Sequence, residues 1–154
     1  IILVNQFDKA DESAKELIYK FYLKNTKNIN NWDLVDLSAP NIVGEYLLDK
    51  DKSQLYDLSK SKNLWEKRIS IISTLRFIKN NKLQDTIKIS KILLSDKHDL
   101  IHKAVGWCLR ELGKKDQALL EEFLTENIKQ MSRTTLRYAI ERFPEPKRQQ
   151  YLKM

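Results

Sequence analysis

Four residues of this chain carry chemistry that their surroundings do not explain: Trp32, Asp36, Arg68 and Trp107. Trp32 and Asp36 stand four positions apart at the start of a predicted helix, so an indole and a carboxylate share one face. That pair is either ordinary surface or a carboxylate that works on something held against the ring; Asp33 fits the helix N-terminus and its dipole better than Asp36 does. Arg68 falls in the middle of the apolar arc formed by Leu64, Ile71, Ile72 and Leu75. A guanidinium there needs a partner, because an unpaired buried charge costs several kcal/mol. The partner is a carboxylate, or the side chain opens onto a cleft that admits an anion. Trp107 presents the reverse case: Ile101, Ala104, Val105, Cys108, Leu109 and Leu112 form the core stripe of its helix, and Trp107 projects opposite them beside Lys103, Arg110 and Lys114. Such a ring packs on a neighbouring helix or chain, or offers a flat apolar surface to a nucleotide while the cations meet phosphates.

Other chemistries lack their residues. There is no Gly-rich phosphate loop, and position 106, four after His102, is Gly rather than a second ligand. His98 and His102 share a face without further ligands, so no metal is expected, and no cofactor. Cys108 lies on the core stripe, where a thiol is inert. A single cysteine rules out an internal disulfide and suits a reducing cytosol, and the expected location is cytoplasmic. No apolar run approaches the roughly 20 residues of a membrane span. The opening "IILVNQF" has no basic leader of a signal peptide and reads as the tail of an apolar helix cut in mid-element. With 28 Lys and Arg against 21 Asp and Glu, the net charge is +7, which favours an acidic partner, nucleic acid first.

The elements that must position these residues are helices. Three Gly and three Pro in 154 residues leave little material for β-turns, while Leu, Ile, Lys, Glu and Asp recur at helical spacing. Residues 11–24 carry Ala14, Leu17, Ile18, Phe21 and Tyr22 as the stripe of an amphipathic helix. A short helix follows with Asn31 as N-cap, and Pro40 suits the first turn of another that ends near Leu48. Residues 53–59 read as a short turn. Asn63 caps a long helix to about Lys79, with Glu66 at the capping-box position. Further helices are expected over 84–94, 99–112, 117–130 and 133–142, with a short tail helix at most after "FPEP". One domain suits this length. The paired helices fit a closed bundle or a stack of helical hairpins. The spacing of Arg68, Lys103 and Arg137, 35 and 34 residues apart, matches the unit length of a helix-pair repeat and favours the stack.

Four stretches, "NNWDLVDLSAPNIVGEYLL", "LWEKRISIISTLRFIK", "HDLIHKAVGWCLRELGKKD" and "RTTLRYAIERFPE", resemble in this order the DNA alkylation repair family, the AlkD-like DNA glycosylases, over about residues 11–152. The resemblance implies an all-α fold of HEAT-like helical pairs forming a curved α-solenoid. It makes residues 1–154 a single HEAT-like domain, the C-terminal part of a longer family domain, since members usually carry further helices before this point. It also implies hydrolysis of the N-glycosidic bond of N3- and N7-alkylated purines in duplex DNA, on a positively charged concave side. Carried over by motif, the WDxVD element makes Asp36 the catalytic carboxylate and Trp32 one aromatic wall. The W-x-x-R element makes Arg68 the cleft arginine, expected to grip a phosphate, and the K-A-V-G-W element makes Trp107 the second wall. Lys103, Arg110, Lys114, Arg133 and Arg137, on or beside the basic faces of the last helices, are the expected backbone contacts. The partner is then duplex DNA containing alkylated purines. The rival readings are a non-catalytic HEAT-repeat protein that binds DNA structures, and a protein-interaction solenoid.

Overall fold

The computed structural model describes residues 2–154, and among them there is no strand. The helices are α1 (Ile2–Lys9), α2 (Glu12–Lys24), α3 (Trp32–Ser38), α4 (Glu45–Leu47), α5 (Ser53–Ser59), α6 (Leu64–Lys79), α7 (Gln84–Leu93), α8 (Asp99–Lys115), α9 (Gln117–Asn127), α10 (Arg133–Ala139) and α11 (Glu145–Lys153). Their starts are written in the sequence. Asp11, Asn31, Asn63, His98, Asp116 and Ser132 each accept a backbone N–H of the first turn that would otherwise lack a partner. The end of α6 is equally local: Lys82 N–H bonds the Phe77 carbonyl and Asn81 N–H that of Ile78, with Asn81 at φ 59°. That is the left-handed C-terminal turn that Asn tolerates.

The architecture is an all-α, solenoid-like stack. The stretch from α3 to α4 packs on α6, α6 on α8, and α8 on α10, which makes one row; α5 and α7 pack along α6, α7 also meets α8, and α9 packs on α8. Helix α6 is therefore enclosed from several sides, and it buries Ser70, Ser73 and Thr74 along with Ile69, Ile71, Ile72, Phe77 and Ile78. The buried hydroxyls are satisfied within the helix, each donating to a carbonyl three or four residues back. The stripe expected for α8 is the observed one, with Ile101, Ala104, Val105, Cys108, Leu109 and Leu112 all buried.

Four local expectations change. Pro40 does not open a new helix: α3 runs on through a π-helical segment, Ala39–Gly44, directly into α4. In an α-helix the proline ring would clash with the carbonyl four residues back, that of Asp36, and the wider π turn relieves this clash without ending the helix. Residues 53–59 are a helix, not a turn. Glu66 does not close a capping box; its carboxylate accepts from Thr26 and Ser61, so it ties α6 to the turn after α2. Finally, the stripe assigned to α2 is half outside. Leu17 and Phe21 are exposed, and the helix docks through Tyr19, stacked on Tyr46 at 4.2 Å, and through Tyr22, whose hydroxyl reaches Ser38 at 2.8 Å. Two large rings with hydrogen-bonding tips outweigh a Leu and a Phe in fixing the rotation of the helix.

Candidate active site

Asp36 is delivered to α6 by a chain of contacts along one edge. Gly44 lies so close to α6 that a Cβ there would stand 2.4 Å from the Ser73 carbonyl oxygen and 2.8 Å from Arg76 Cβ. Ser73 also donates to the Ala39 carbonyl, and Arg76 pairs with Glu45. With the π segment held there, the last full turn of α3 faces the first turns of α6. Arg68 then meets Asp36 side-on: Nε donates to Oδ1 at 2.9 Å and Nη2 to Oδ2 at 2.8 Å. The third donor, Nη1, reaches the Leu100 carbonyl of α8 at 2.6 Å.

This answers the question of the buried guanidinium. Its partner is a carboxylate, in a two-pronged charge-assisted pair with side-chain exposures of 6% for Arg68 and 15% for Asp36. All three of these bonds go to protein groups, and little of Arg68 meets solvent. Asp36 keeps a narrow opening and Arg68 almost none.

That opening leads into a cleft of about 370 Å3 lined by Trp32, Asp36, Arg68, Leu100, Lys103, Trp107, Arg110 and Tyr138. All four residues singled out at the start meet there, from α3, α6 and α8. Trp32, at the first position of α3, is half exposed, and the helix is capped there by the Asn31 side chain accepting from Asp33 N–H. Trp107 is partly buried, packs against the core and also lines the cleft. The volume lies in the ordinary range of ligand sites. A larger groove of about 590 Å3, lined by Phe21, Leu34, Leu37 and other apolar residues near α1, offers no carboxylate or cation, and chemistry rather than size singles out the smaller cleft.

The expected basic residues divide. Lys103 and Arg110 line the cleft; Lys114 joins Arg110 and Arg142 in an adjoining groove of about 240 Å3. Arg110 is paired with Glu111 and Glu141, Lys114 with Glu111, and Lys103 with Asp99. Arg133 and Arg137 do not line the cleft; Arg133 donates to the Leu152 carbonyl of α11, while Arg137 is exposed. Asp99 raises Lys103 above the usual lysine range, chiefly through their hydrogen bond.

Tyr138 was not singled out from sequence, although it lines the cleft. It arrives because Gly106 lets α10 approach α8: a Cβ at 106 would lie 2.5 Å from Tyr138 Cβ and 2.7 Å from the Thr135 carbonyl. The signal available was the small residue beside Trp107, which marks a close helix crossing. His98 accepts from Leu100 N–H and His102 Nε2 lies 2.6 Å from the Asp96 carbonyl, so both rings hold the turn before α8. Cys108 is buried with its thiol against the Ile71 carbonyl, and burial pushes its ionisation far up, which makes it unreactive.

No helix among the described residues is long and apolar enough to cross a membrane. Residues 1–143 match the family model described as "DNA alkylation repair enzyme". No curated protein and no solved structure matches the chain.

Proposed function

The chain belongs to the DNA alkylation repair enzyme family, whose role is the repair of alkylated DNA, and from that premise we propose that it is a monofunctional glycosylase releasing N3- and N7-alkylated purines from duplex DNA. The observation that carries this reading is one carboxylate, Asp36, opening into a cleft between two indoles, with no second carboxylate among the lining residues. A purine alkylated at N3 or N7 is already cationic, so it leaves without a general acid. One carboxylate is then enough.

As the glycosidic bond lengthens, positive charge passes to the deoxyribose. A fixed anion beside that sugar stabilises the oxocarbenium-like transition state more than the neutral ground-state sugar, and this difference accelerates the step. Asp36 is that anion. Arg68 takes both carboxylate oxygens from the side, which fixes their direction; the remaining lone pairs are those that face the opening. The same lone pairs orient the attacking water and accept its proton. Trp32 and Trp107 flank the sugar, their π faces attractive to the developing cation. Selectivity comes from the charge and lability of the lesion itself, so the cleft needs contacts to sugar and backbone rather than a base-reading pocket.

The test is release of base from a duplex bearing N7-methylguanine, by the wild-type protein and by Asp36→Asn, with circular dichroism to verify that both are folded. Wild type should release base and the folded variant should lose nearly all of that activity. Equal release from both sinks Asp36 as the reacting group. Duplex binding without release by wild type favours the second reading, a non-catalytic binder of DNA structures, in which the two-pronged Arg68–Asp36 pair is purely structural.

A further inference from the structure

Arg68 spends three of its five N–H donors on protein acceptors and its side chain is 6% exposed, so lining groups nearer the solvent are better placed to hold a DNA strand. Arg110 is a poor candidate, since its side chain is 19% exposed and engages both Glu111 and Glu141. Two lining groups are differently placed. Lys103 is 43% exposed, and its ionic partner, Asp99, is a still more exposed residue one turn earlier on the same helix. Such a surface pair is worth little and exchanges readily for a phosphate. Tyr138 is the other. It is the tyrosine that lines this cleft, its hydroxyl has no protein partner among the described residues, and the residue is 36% exposed.

The two groups are also held in a fixed relation. Thr135 Oγ1 donates to the His102 carbonyl at 3.2 Å, which joins α10 to α8 one residue before Lys103 and one turn before Tyr138. At Gly106 the two helices are in direct contact through Tyr138 Cβ. A free hydroxyl donor and an exchangeable ammonium thus line the same cleft from neighbouring helices, together with Trp107.

We propose that Tyr138 Oη and Lys103 Nζ bind one phosphodiester of the DNA strand at the rim of this cleft, and so position that strand. The inference rests on the reading that the cleft receives alkylated duplex DNA. A phosphate there accepts one O–H and one N–H bond from groups that face solvent when DNA is absent. The phosphate next to the lesion is thereby fixed, and the sugar is set between the two indoles.

The experiment measures binding, which needs no catalysis. Duplexes carry a tetrahydrofuran abasic analogue, with the flanking phosphates either native or replaced one at a time by neutral methylphosphonate. Tyr138→Phe keeps the ring and loses only the hydroxyl; it should unfold at the wild-type temperature and bind the native duplex roughly tenfold more weakly. Lys103→Gln should reduce the log–log salt slope by about 0.9. One methylphosphonate position should weaken wild-type binding most and each variant less, because each variant retains only one of the two contacts to that phosphate. Wild-type affinity in Tyr138→Phe, an equal methylphosphonate penalty in all three proteins, or no duplex binding by wild type at low salt would each overturn the proposal. Failure of the broader reading looks different. If the binding pattern holds but N7-methylguanine is not released, the phosphate site stands and the glycosylase falls; release of base with unchanged Tyr138→Phe binding has the opposite meaning.

Discussion

Arg68 and Asp36 form the pair on which the site depends, and its energetics suggest a variant that separates charge from geometry. Arg68→Lys keeps the positive charge but cannot make two parallel bonds to the carboxylate and a third to the Leu100 carbonyl. If orientation of Asp36 matters to the reaction, single-turnover base release should fall roughly tenfold or more with little change in duplex affinity. Unchanged release would make the pair merely structural. Arg68→Ala leaves a half-buried carboxylate without its partner, and urea unfolding should show a loss of about 3–5 kcal/mol. The need for a partner was legible in the sequence from a guanidinium among Leu64, Ile71, Ile72 and Leu75. Its identity was not, because Asp36 stands 32 positions away and only the docking of α3 on α6 brings it near.

Helix contacts, rather than side chains in the cleft, set the distances between α3, α6, α8 and α10. The three glycines test this in graded fashion. At Gly44 and Gly106 an added methyl meets backbone carbonyls of a neighbouring helix at 2.4 Å and 2.7 Å, which cannot step aside. Gly44→Ala and Gly106→Ala should each cost about 1–3 kcal/mol in urea unfolding. Gly113→Ala meets only the Leu120 side chain, its nearest atom the flexible Cδ2, and should cost less. A larger loss at Gly113 would count against this account of the helix spacing. The π segment belongs to the same scale. Pro40 was visible as a helix-starting residue, but whether the chain restarts or widens its turn depends on what receives the following residues. Here Ile42 and Val43 are fully buried and Gly44 sits against α6, so continuing the helix keeps that burial.

For the molecule as a whole, buried phenols make stability fall at high pH. Burial raises Tyr22 and Tyr19 from the usual 10.0 to about 12. Below pH 10 both are neutral in either state and their contribution is fully present. Between pH 10 and about 12 the unfolded chain loses these protons while the folded chain keeps them, so stability drops as pH rises. Urea unfolding at pH 8, 10 and 11 should show this decline, and Tyr22→Phe should make it shallower. A decline of the same steepness in Tyr22→Phe would remove Tyr22 from the explanation.

The sequence by itself determined what is local or periodic: the helical class, most helix starts through their caps, the core stripe of α8, and the unusual placement of Arg68 inside an apolar arc and of Trp107 outside one. These follow from spacing along one helix and from hydrogen bonds within one turn, so a few neighbouring residues suffice. Tertiary structure decided the rest. It turned α2 on its tyrosines, carried Pro40 through a π turn, paired Arg68 with Asp36, and brought in Tyr138 from about thirty positions beyond Trp107. Each of those outcomes depends on which of several competing contacts is made when distant helices dock, and that choice is set by the shape and chemistry of the whole interface.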